Sequence, residues 1–584
     1  MSVFHKFILF AALVLTVSFS LPIPAPGQHS SGFSPGCEKV YIHLDKMVYV
    51  AGESIRYKVY LLNGDKPGMA PCSKILYFSL TGTAGNSRAD WRINFGDKPV
   101  SGSFEIPSEL KAGMYVLRAF TNLMRNSPGN LPFSQNLLIM NLSEAIPDTL
   151  NLPFSGNAAA ALPPEVASHG YALHVTTSKD TFAVKEKVRV EIDLRSQLQD
   201  AVNANLSVSV STATPVQELI PEADIIDCLN GVTARREKSE LPCTYRVEDR
   251  GYMLTGRIKN RIDHRPLEDA KILLSVSDSI TPKIRYAVTD SVGEFTFYLS
   301  SLFDNKELIL QFGDQSRNAD YYWGIDRKEL DAGKGNLLPY LLQPEETAFL
   351  NTVKDLRLIE AVYSAEKTGE SHRIDSGGIN YFSPPDVLVY PGDYSDLINF
   401  KEITDNIVPG VKFSIRSEGY SLQILNNSTG LWNECRTLFL NGVPYTDLAY
   451  LATLGTKDIK RIEVIASDFL LGDLTLPGLL SVYTHDHSIP ENYLKNNTFS
   501  FTNTVIPNDT VQNTLPEGSS GTSGDHYPDF RSTLLWNPGA SVTGREILVV
   551  EFPASRLTGR FAVKVRGITG QGHPLRAETF FEVK

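Results

Sequence analysis

RTLFLNGVPYTDLAYLATLGTKDIKRIEVIASDFLLGDLTLPGLLSVYT, from Arg436 to Thr484, is the stretch whose reading decides the fold. Its pattern predicts three short strands with a helix between the first two. Thr437–Leu440 is apolar and stops at Asn441-Gly442, a pair suited to a tight turn. Leu448, Leu451 and Leu454 recur at helical spacing, and Gly455 is placed to end that helix. Arg461–Ile465 alternates charged and apolar residues as a half-buried strand does, and Leu479–Tyr483 supplies the third strand.

In this order the pieces resemble the plug domain of TonB-dependent outer-membrane receptors. Those plugs carry a strand ending in D-G-V/I-P, then a helix, then D-I-E-R-I-E-V, then a glycine-rich stretch leading into V-I-N-I-x-T. The counterparts here are LNGVP (Leu440–Pro444), KDIKRIEVI (Lys457–Ile465) and PGLLSVYT (Pro477–Thr484). A receptor plug is followed by a barrel of about 22 strands of about 10 residues each. Only 100 residues follow Thr484, so the expectation is a plug-like domain without a barrel. Such a domain must close its own core, expected from Leu438, Leu440, Ile462, Val464 and Val482. Helical residues Val353, Leu356, Tyr363, Leu397 and Phe400 would supply covering surface. With no barrel around it, the turn Asn441, Gly442, Val443 and Pro444 is expected to be exposed and open to a partner.

The chain has 584 residues, room for about four domains. Charged residues make up 21% and apolar ones 42%, the balance of a globular protein. A net charge of −11 with no basic run argues against nucleic acid and anionic membrane as partners. Aromatic and β-branched residues dominate the periodic segments, so the body reads as mainly β. Met1–Ser20, with Lys6 ahead of an apolar run from Phe7 to Val17, reads as a secretory signal peptide (1–20). The mature chain is therefore expected to be exported, to the periplasm or the outer-membrane surface, with no transmembrane segment. Of the five cysteines, Cys228 and Cys243 make the best disulfide pair, with buried free thiols the alternative.

From Glu38 the chain alternates as strands at Val40–Leu44, Ile55–Leu61, Ile75–Leu80, Trp91–Phe95 and Tyr115–Thr121, an immunoglobulin-like sandwich over 38–145. DKMVYVAGESI (Asp45–Ile55) resembles the D-K-x-x-Y-x-x-G-E/Q-x-V opening of the second macroglobulin domain of the α2-macroglobulin family. SKDTFAVKEKVRVEIDL (Ser178–Leu194) repeats it without a gap: Lys46 aligns with Lys179, Tyr49 with Phe182, Glu53 with Glu186. Gly52 becomes Lys185, so the two turns are expected to differ. A second macroglobulin-type sandwich is placed at 165–250, after a linker at Pro153–Pro164.

GYMLTGRIKNRIDHRPLEDAKILLSV (Gly251–Val276) and TDSVGEFTFYL (Thr289–Leu299) resemble the carboxypeptidase regulatory-like domain through Gly256, Pro266-Leu267, Ala270, Thr289-Asp290, Gly293 and Phe295. The resemblance implies a transthyretin-like sandwich over 251–315 without catalytic residues. A helical connector follows at 340–378, and a second helix is predicted over Tyr394–Ile407 within a plug-like domain at 381–488. Polar residues 496–529 read as a flexible linker, and 530–584 as a closing β unit. That unit resembles the sorting domain of type nine secretion cargo in its G-x-F-x-V strand.

No nucleophile elbow, H-E-x-x-H, phosphate loop or dinucleotide motif occurs, and the macroglobulin thioester C-G-E-Q is absent. No catalytic residue, cofactor or metal is expected. His485-Asp486-His487 is better read as a polar strand exit than a ligand set. Asp393 and Asp396 read as charges at a helix start. Tyr41, Tyr49, Tyr57 and Tyr60 fit core packing or a carbohydrate face about equally. The whole arrangement resembles an exported family of Bacteroidota-type Gram-negative bacteria. The main expectation is a non-enzymatic cell-envelope binding or scaffold protein, accessory to TonB-dependent transport, with an outer-membrane receptor barrel among its partners. The alternatives are a thioester-free macroglobulin-like protease-binding protein and a type nine secretion cargo at the cell surface.

Overall fold

A computed structural model describes residues 38–584 apart from 64–71, 84–87, 95–99, 127–131, 154–169, 197–200, 214–215, 217–218, 231–243, 277–282, 314–320, 329–336, 365–383, 395, 418, 436–437 and 507–528. The expected signal peptide, Cys37, Cys243, most of the Pro153–Pro164 linker and the plug-like boundary at Tyr381 lie outside these residues. The chain is mainly β, built as sandwiches with one α+β unit.

In the first sandwich, strands Glu38–Leu44, Ser54–Asn63 and Val100–Glu105 form one sheet. The other runs Val48–Val50, Phe133–Met140, Gly113–Phe120, Ile75–Gly82, Arg88–Asn94. Alternation places Val40, Ile42, Ile55, Tyr57 and Val59 between the sheets and turns Tyr41, His43, Lys58 and Tyr60 to the opposite face.

The second sandwich repeats this topology strand for strand. Tyr171–Thr177, Lys187–Ser196 and Leu548–Pro553 form its small sheet. Thr181–Phe182, Pro574–Val583, Gly559–Thr569, Ala204–Thr212 and Thr533–Val542 form the large one, in that order. The closing segment 530–584 is therefore no separate unit: its four strands are the fifth to eighth strands of the second sandwich. Residues 213–532 are inserted between the fourth and fifth, where the first sandwich has only a short connection. The expected boundary at 250 accordingly falls inside the insertion. Gly559, with φ +133, opens the seventh strand as Gly113, with φ +155, opens its counterpart.

The repeated opening is equally close. Tyr49 and Phe182 are buried, each on a short strand running parallel to the last strand of its own sandwich. Glu53 accepts from the Val50 amide at 3.0 Å, and Glu186 from the Ala183 amide at 2.8 Å. Lys46 and Lys179 pair with those same carboxylates. The expectation that Lys185 changes the turn does not hold: Gly52 has φ +83 and Lys185 φ +65, so the lysine adopts the left-handed conformation. The Glu186 anchor over-determines the turn and offsets the cost of a Cβ there.

Inside the insertion lies the third sandwich. Its sheets run Glu294–Leu299, Tyr252–Asn260, Tyr321–Ile325, and Arg285–Val288, Lys271–Val276, Glu307–Phe312, Phe499–Thr502. Asp290 and Gly293 form the expected turn, the Gly293 amide donating to the Asp290 carbonyl at 2.8 Å, and Phe295 and Phe297 enter the core. Phe499–Thr502 sits in the stretch read as linker. It is an edge strand that returns after a second, nested insertion.

That nested insertion is the α+β unit. Its five-stranded sheet has the order Val387–Val389, Ile459–Leu471, Leu474–Thr484, Leu438–Leu440, Val443–Tyr445, beside a three-stranded sheet Val411–Arg416, Gly419–Leu425, Trp432–Glu434. Leu438, Leu440, Ile462, Val464 and Val482 share one core with Phe400, Ile403 and Leu451. The helix Phe400–Ile407 is shorter than expected because Asn399 caps it, accepting from the Glu402 amide at 2.9 Å. Asp393 and Asp396 thus precede the helix rather than charge its first turn. The helix Leu448–Ala452 ends before Gly455. That glycine instead permits a close approach, since a Cβ there would lie 2.9 Å from the Leu397 carbonyl. Among the described residues the long helix Pro344–Ser364 does not cover this unit: Leu350, with Phe349 and Val353 beside it, packs into the cluster of the first and third sandwiches, while the Tyr363 side chain lies outside the described residues.

Candidate functional site

Asn441 and Gly442 form the two-residue hairpin turn that the sequence predicts, with φ +50 and +84, and Val443 and Pro444 open the returning strand. The expected exposure does not hold, because all four residues are buried. Two parts of the same chain cover them. Gln311 of the third sandwich donates to the Pro444 carbonyl at 3.1 Å, and Tyr493 on the helix Glu491–Asn497 donates to it at 3.0 Å. Asn441 donates to Thr484 Oγ1 at 2.8 Å and the Ser488 carbonyl at 2.7 Å, and accepts from the Thr484 amide at 2.9 Å. The third sandwich packs against this end of the unit. Leu273 and Ile284 pack on Phe439, Ile465 and Leu479, and Lys271 and Tyr286 hold Asp473 at the hairpin tip.

His485, Asp486 and His487 are exposed, and Asp486 works locally. Hydrogen bonds from Ser488 and Thr484, both at 2.6 Å, hold its carboxyl down at about 2. Among the described residues no group of three or more His, Cys, Asp and Glu side chains is placed to hold a metal ion. Tyr41, Tyr49, Tyr57 and Tyr60 are all buried, so they form no carbohydrate face. Cys228 is a free thiol that burial raises to about 12.

The densest chemistry is one that motif reading missed: a polar joint where the outer face of the first sandwich meets the large sheet of the second. Ser207, Ser209 and Asn205 alternate along Ala204–Thr212 toward the joint, and small side chains let the sheets approach. His43 lies within, Nδ1 2.6 Å from Ser207 Oγ and Nε2 3.2 Å from Ser209 Oγ. A neutral ring satisfies both bonds if Ser209 donates to Nε2 and Nδ1–H donates to Ser207. Burial pushes the imidazole down to about 3, so it stays neutral. Tyr60 Oη sits 2.8 Å from Ser207 Oγ and donates to the Arg566 carbonyl at 2.9 Å. Lys58, which burial lowers to about 8, donates to the Pro538 carbonyl at 2.7 Å and to Asn205 at 3.1 Å.

Glu222 completes the joint from the stretch Leu219–Asn230, which is clasped between the two sandwiches. Its Oε2 lies 2.6 Å from Lys564 Nζ and 3.3 Å from Arg566 Nη2, and Tyr41 Oη donates to Oε1 at 3.3 Å. Burial alone would raise its pKa, but Arg566 and Lys564 outweigh burial and hold the carboxylate well below the usual range. Gln135 brackets the stretch, donating to the Pro221 carbonyl at 3.1 Å and accepting from the Ala223 amide at 2.7 Å. A serine, a histidine and a carboxylate thus lie close together, yet His43 and Ser207 are fully enclosed. No substrate reaches them, and the arrangement acts as a fastener. The serine alternation of Ser207-Val208-Ser209-Val210-Ser211 and the charged alternation of Lys564-Val565-Arg566 were the available signals of a covered polar sheet face.

Open apolar surface occurs on the three-stranded sheet of the α+β unit. Phe413 and Phe400 meet at 5.4 Å in the core, and a Cβ on Gly478 would stand 3.1 Å from Ile424, so that glycine lets the two sheets close. Beyond the reach of Phe400, Ile415 and Tyr420 sit opposite each other and stay exposed, at 59% and 41%. On the other face Trp432, paired with Leu425, is also exposed. Among the described residues no helix is long and apolar enough to cross a membrane.

No protein-family model and no curated protein matches the sequence. Solved structures similar to this chain include trypsin-activated α2-macroglobulin from Escherichia coli, at 9% identity and TM-score 0.15, covering 94% of this chain and 24% of that one. The native conformation of the E. coli protein gives 10% identity and TM-score 0.22, covering 94% and 40%. The E. coli adhesin FdeC gives 12% identity and TM-score 0.14, covering 50% and 65%. The chain thus spans between about a quarter and two-fifths of these two α2-macroglobulin chains. At such TM-scores the likenesses carry no argument about activity.

Proposed function

We propose that this chain is a non-enzymatic binding and scaffold protein of the cell envelope, accessory to outer-membrane transport, whose α+β unit engages an envelope protein. The observation that carries the reading is the apolar side chains left open on the three-stranded sheet, Ile415 and Tyr420 on one face and Trp432 on the other. Nesting supports it. The α+β unit returns at its carboxyl end into an edge strand of the third sandwich, and the first and second sandwiches are fastened to each other by buried hydrogen bonds and ion pairs. Large exposed apolar side chains that project from a rigid support are the usual anchors of a protein interface.

Cross-linked pull-down from envelope fractions tests this. The wild-type chain should recover an envelope protein, such as a receptor barrel, and the double variant Ile415→Asp/Trp432→Asp should lose it. Recovery of a protease would favour the macroglobulin-like reading instead. Recovery unaffected by the double variant would remove the proposed surface.

A further inference from the structure

The outward face of the three-stranded sheet of the third sandwich has an organisation that packing does not require. Tyr322 stands opposite Lys259, Gly324 opposite Arg257, and Arg257 opposite Glu294, so these side chains share one face in two adjoining rows. Tyr322 is 62% exposed. A Cβ on Gly324 would lie 3.3 Å from Tyr322 Cε1, which shows that the ring leans along its own strand over the glycine. Most of the side chain stays open to solvent. Beside it, Arg257 Nε and Nη2 both donate to Glu294 Oε2, at 3.1 and 3.0 Å. Among the described residues Arg257 Nη1 and Glu294 Oε1 keep no protein partner, leaving a donor and an acceptor side by side. The next row is walled off. Lys328 donates to Thr255 Oγ1 and Asp326, each at 2.9 Å, and Arg125 of the first sandwich grips Asp326 at 2.9 and 3.0 Å.

We propose that this face binds neutral carbohydrate. A sugar ring presents an apolar C–H face, which an exposed aromatic ring accepts, and vicinal hydroxyls, which a fixed donor–acceptor pair matches. From Tyr322 to Glu294 is two strand spacings across and two residues along, about 12 Å, so one chain of linked sugars spans both features. The Arg257–Glu294 pair is neutral as a pair and its carboxylate opposes phosphate-bearing ligands, while Lys259 opposite Tyr322 adds a further donor for hydroxyls to the row. The site is independent of the surface around Ile415 and Trp432.

Affinity electrophoresis of the full chain in gels cast with laminarin, xylan, mannan or soluble starch tests the proposal. Retardation is expected in at least one gel. Tyr322→Ala should weaken it about tenfold or more, the loss typical of a stacking anchor, with an unchanged thermal midpoint because the residue is exposed. Tyr322→Phe should keep the binding, and Glu294→Gln should reduce it while leaving the ring in place. Absence of retardation in all four gels, or equal retardation of wild type and Tyr322→Ala, would overturn it.

Discussion

Replacing Glu222 by glutamine keeps the side chain's shape and removes the charge that Lys564 and Arg566 share. The three side chains are 11%, 10% and 5% accessible, with contacts of 2.6 and 3.3 Å. At that depth the surface value of an ion pair, about 1 kcal/mol or less, does not apply. Breaking a buried pair leaves cations without a counter-charge and costs about 3–5 kcal/mol. Arg566 retains the Val565 and Ala577 carbonyls and Glu578, so the loss should fall near the lower end, about 3 kcal/mol. Amide exchange is the suitable assay, because a multi-unit chain does not unfold in two states. Faster exchange is expected in Glu38–Leu44 and Gly559–Thr569, which face each other, and not in Ile459–Leu471. The triple variant Glu222→Met/Lys564→Met/Arg566→Met should recover most of the loss, since apolar replacement removes the desolvation cost as well as the attraction. A loss below about 1 kcal/mol for Glu222→Gln would refute the claim that this cluster fastens the sandwiches.

Other consequences follow from the same geometry. His43 is held near 3 against an ordinary 6.5, so its contribution is complete above pH 6.5 and is lost as pH falls toward 3. Between pH 7 and 5 the opening free energy read by amide exchange in Glu38–Leu44 should drop by about 2 kcal/mol from this group; His43→Gln should flatten that slope, and an unchanged slope would exclude His43 as its source. A chain ending at residue 528 lacks four strands of the second sandwich, so amides of Lys187–Ser196 should exchange at unfolded rates; protection there would contradict the nested topology. Asn441→Ala leaves the buried Thr484 amide without its acceptor and should cost about 1–3 kcal/mol, read as faster exchange at Leu438–Tyr445. Gly478→Val places a branched Cβ against Ile424 at φ +91 and should loosen the three-stranded sheet by about 1–3 kcal/mol.

What the sequence made legible was local. Lys46 with Glu53 and Lys179 with Glu186 announced the duplicated sandwich because their ion pairs belong to one turn each. Asn441-Gly442 announced its hairpin because both positions need positive φ. Partners distant in the chain were not legible. Alternation in Gly559–Thr569 shows that one strand face is buried, but it cannot say that the neighbouring strand is Ala204–Thr212, some 350 residues earlier. The cover over Pro444 was hidden for the same reason, since Gln311 and Tyr493 carry no local sign of reaching it. The polar joint was half visible in its serines and charges, whereas which face they met depended on the insertion.

The most direct test of the scaffold reading places a photo-reactive amino acid at position 415, 432 or 441 in living cells. Ile415 and Trp432 are exposed and Asn441 is 1% accessible. Cross-links to an envelope protein from 415 or 432, and none from 441, are the expected result. Adducts from 441, adducts only to a protease, or silence at both 415 and 432 would contradict the account.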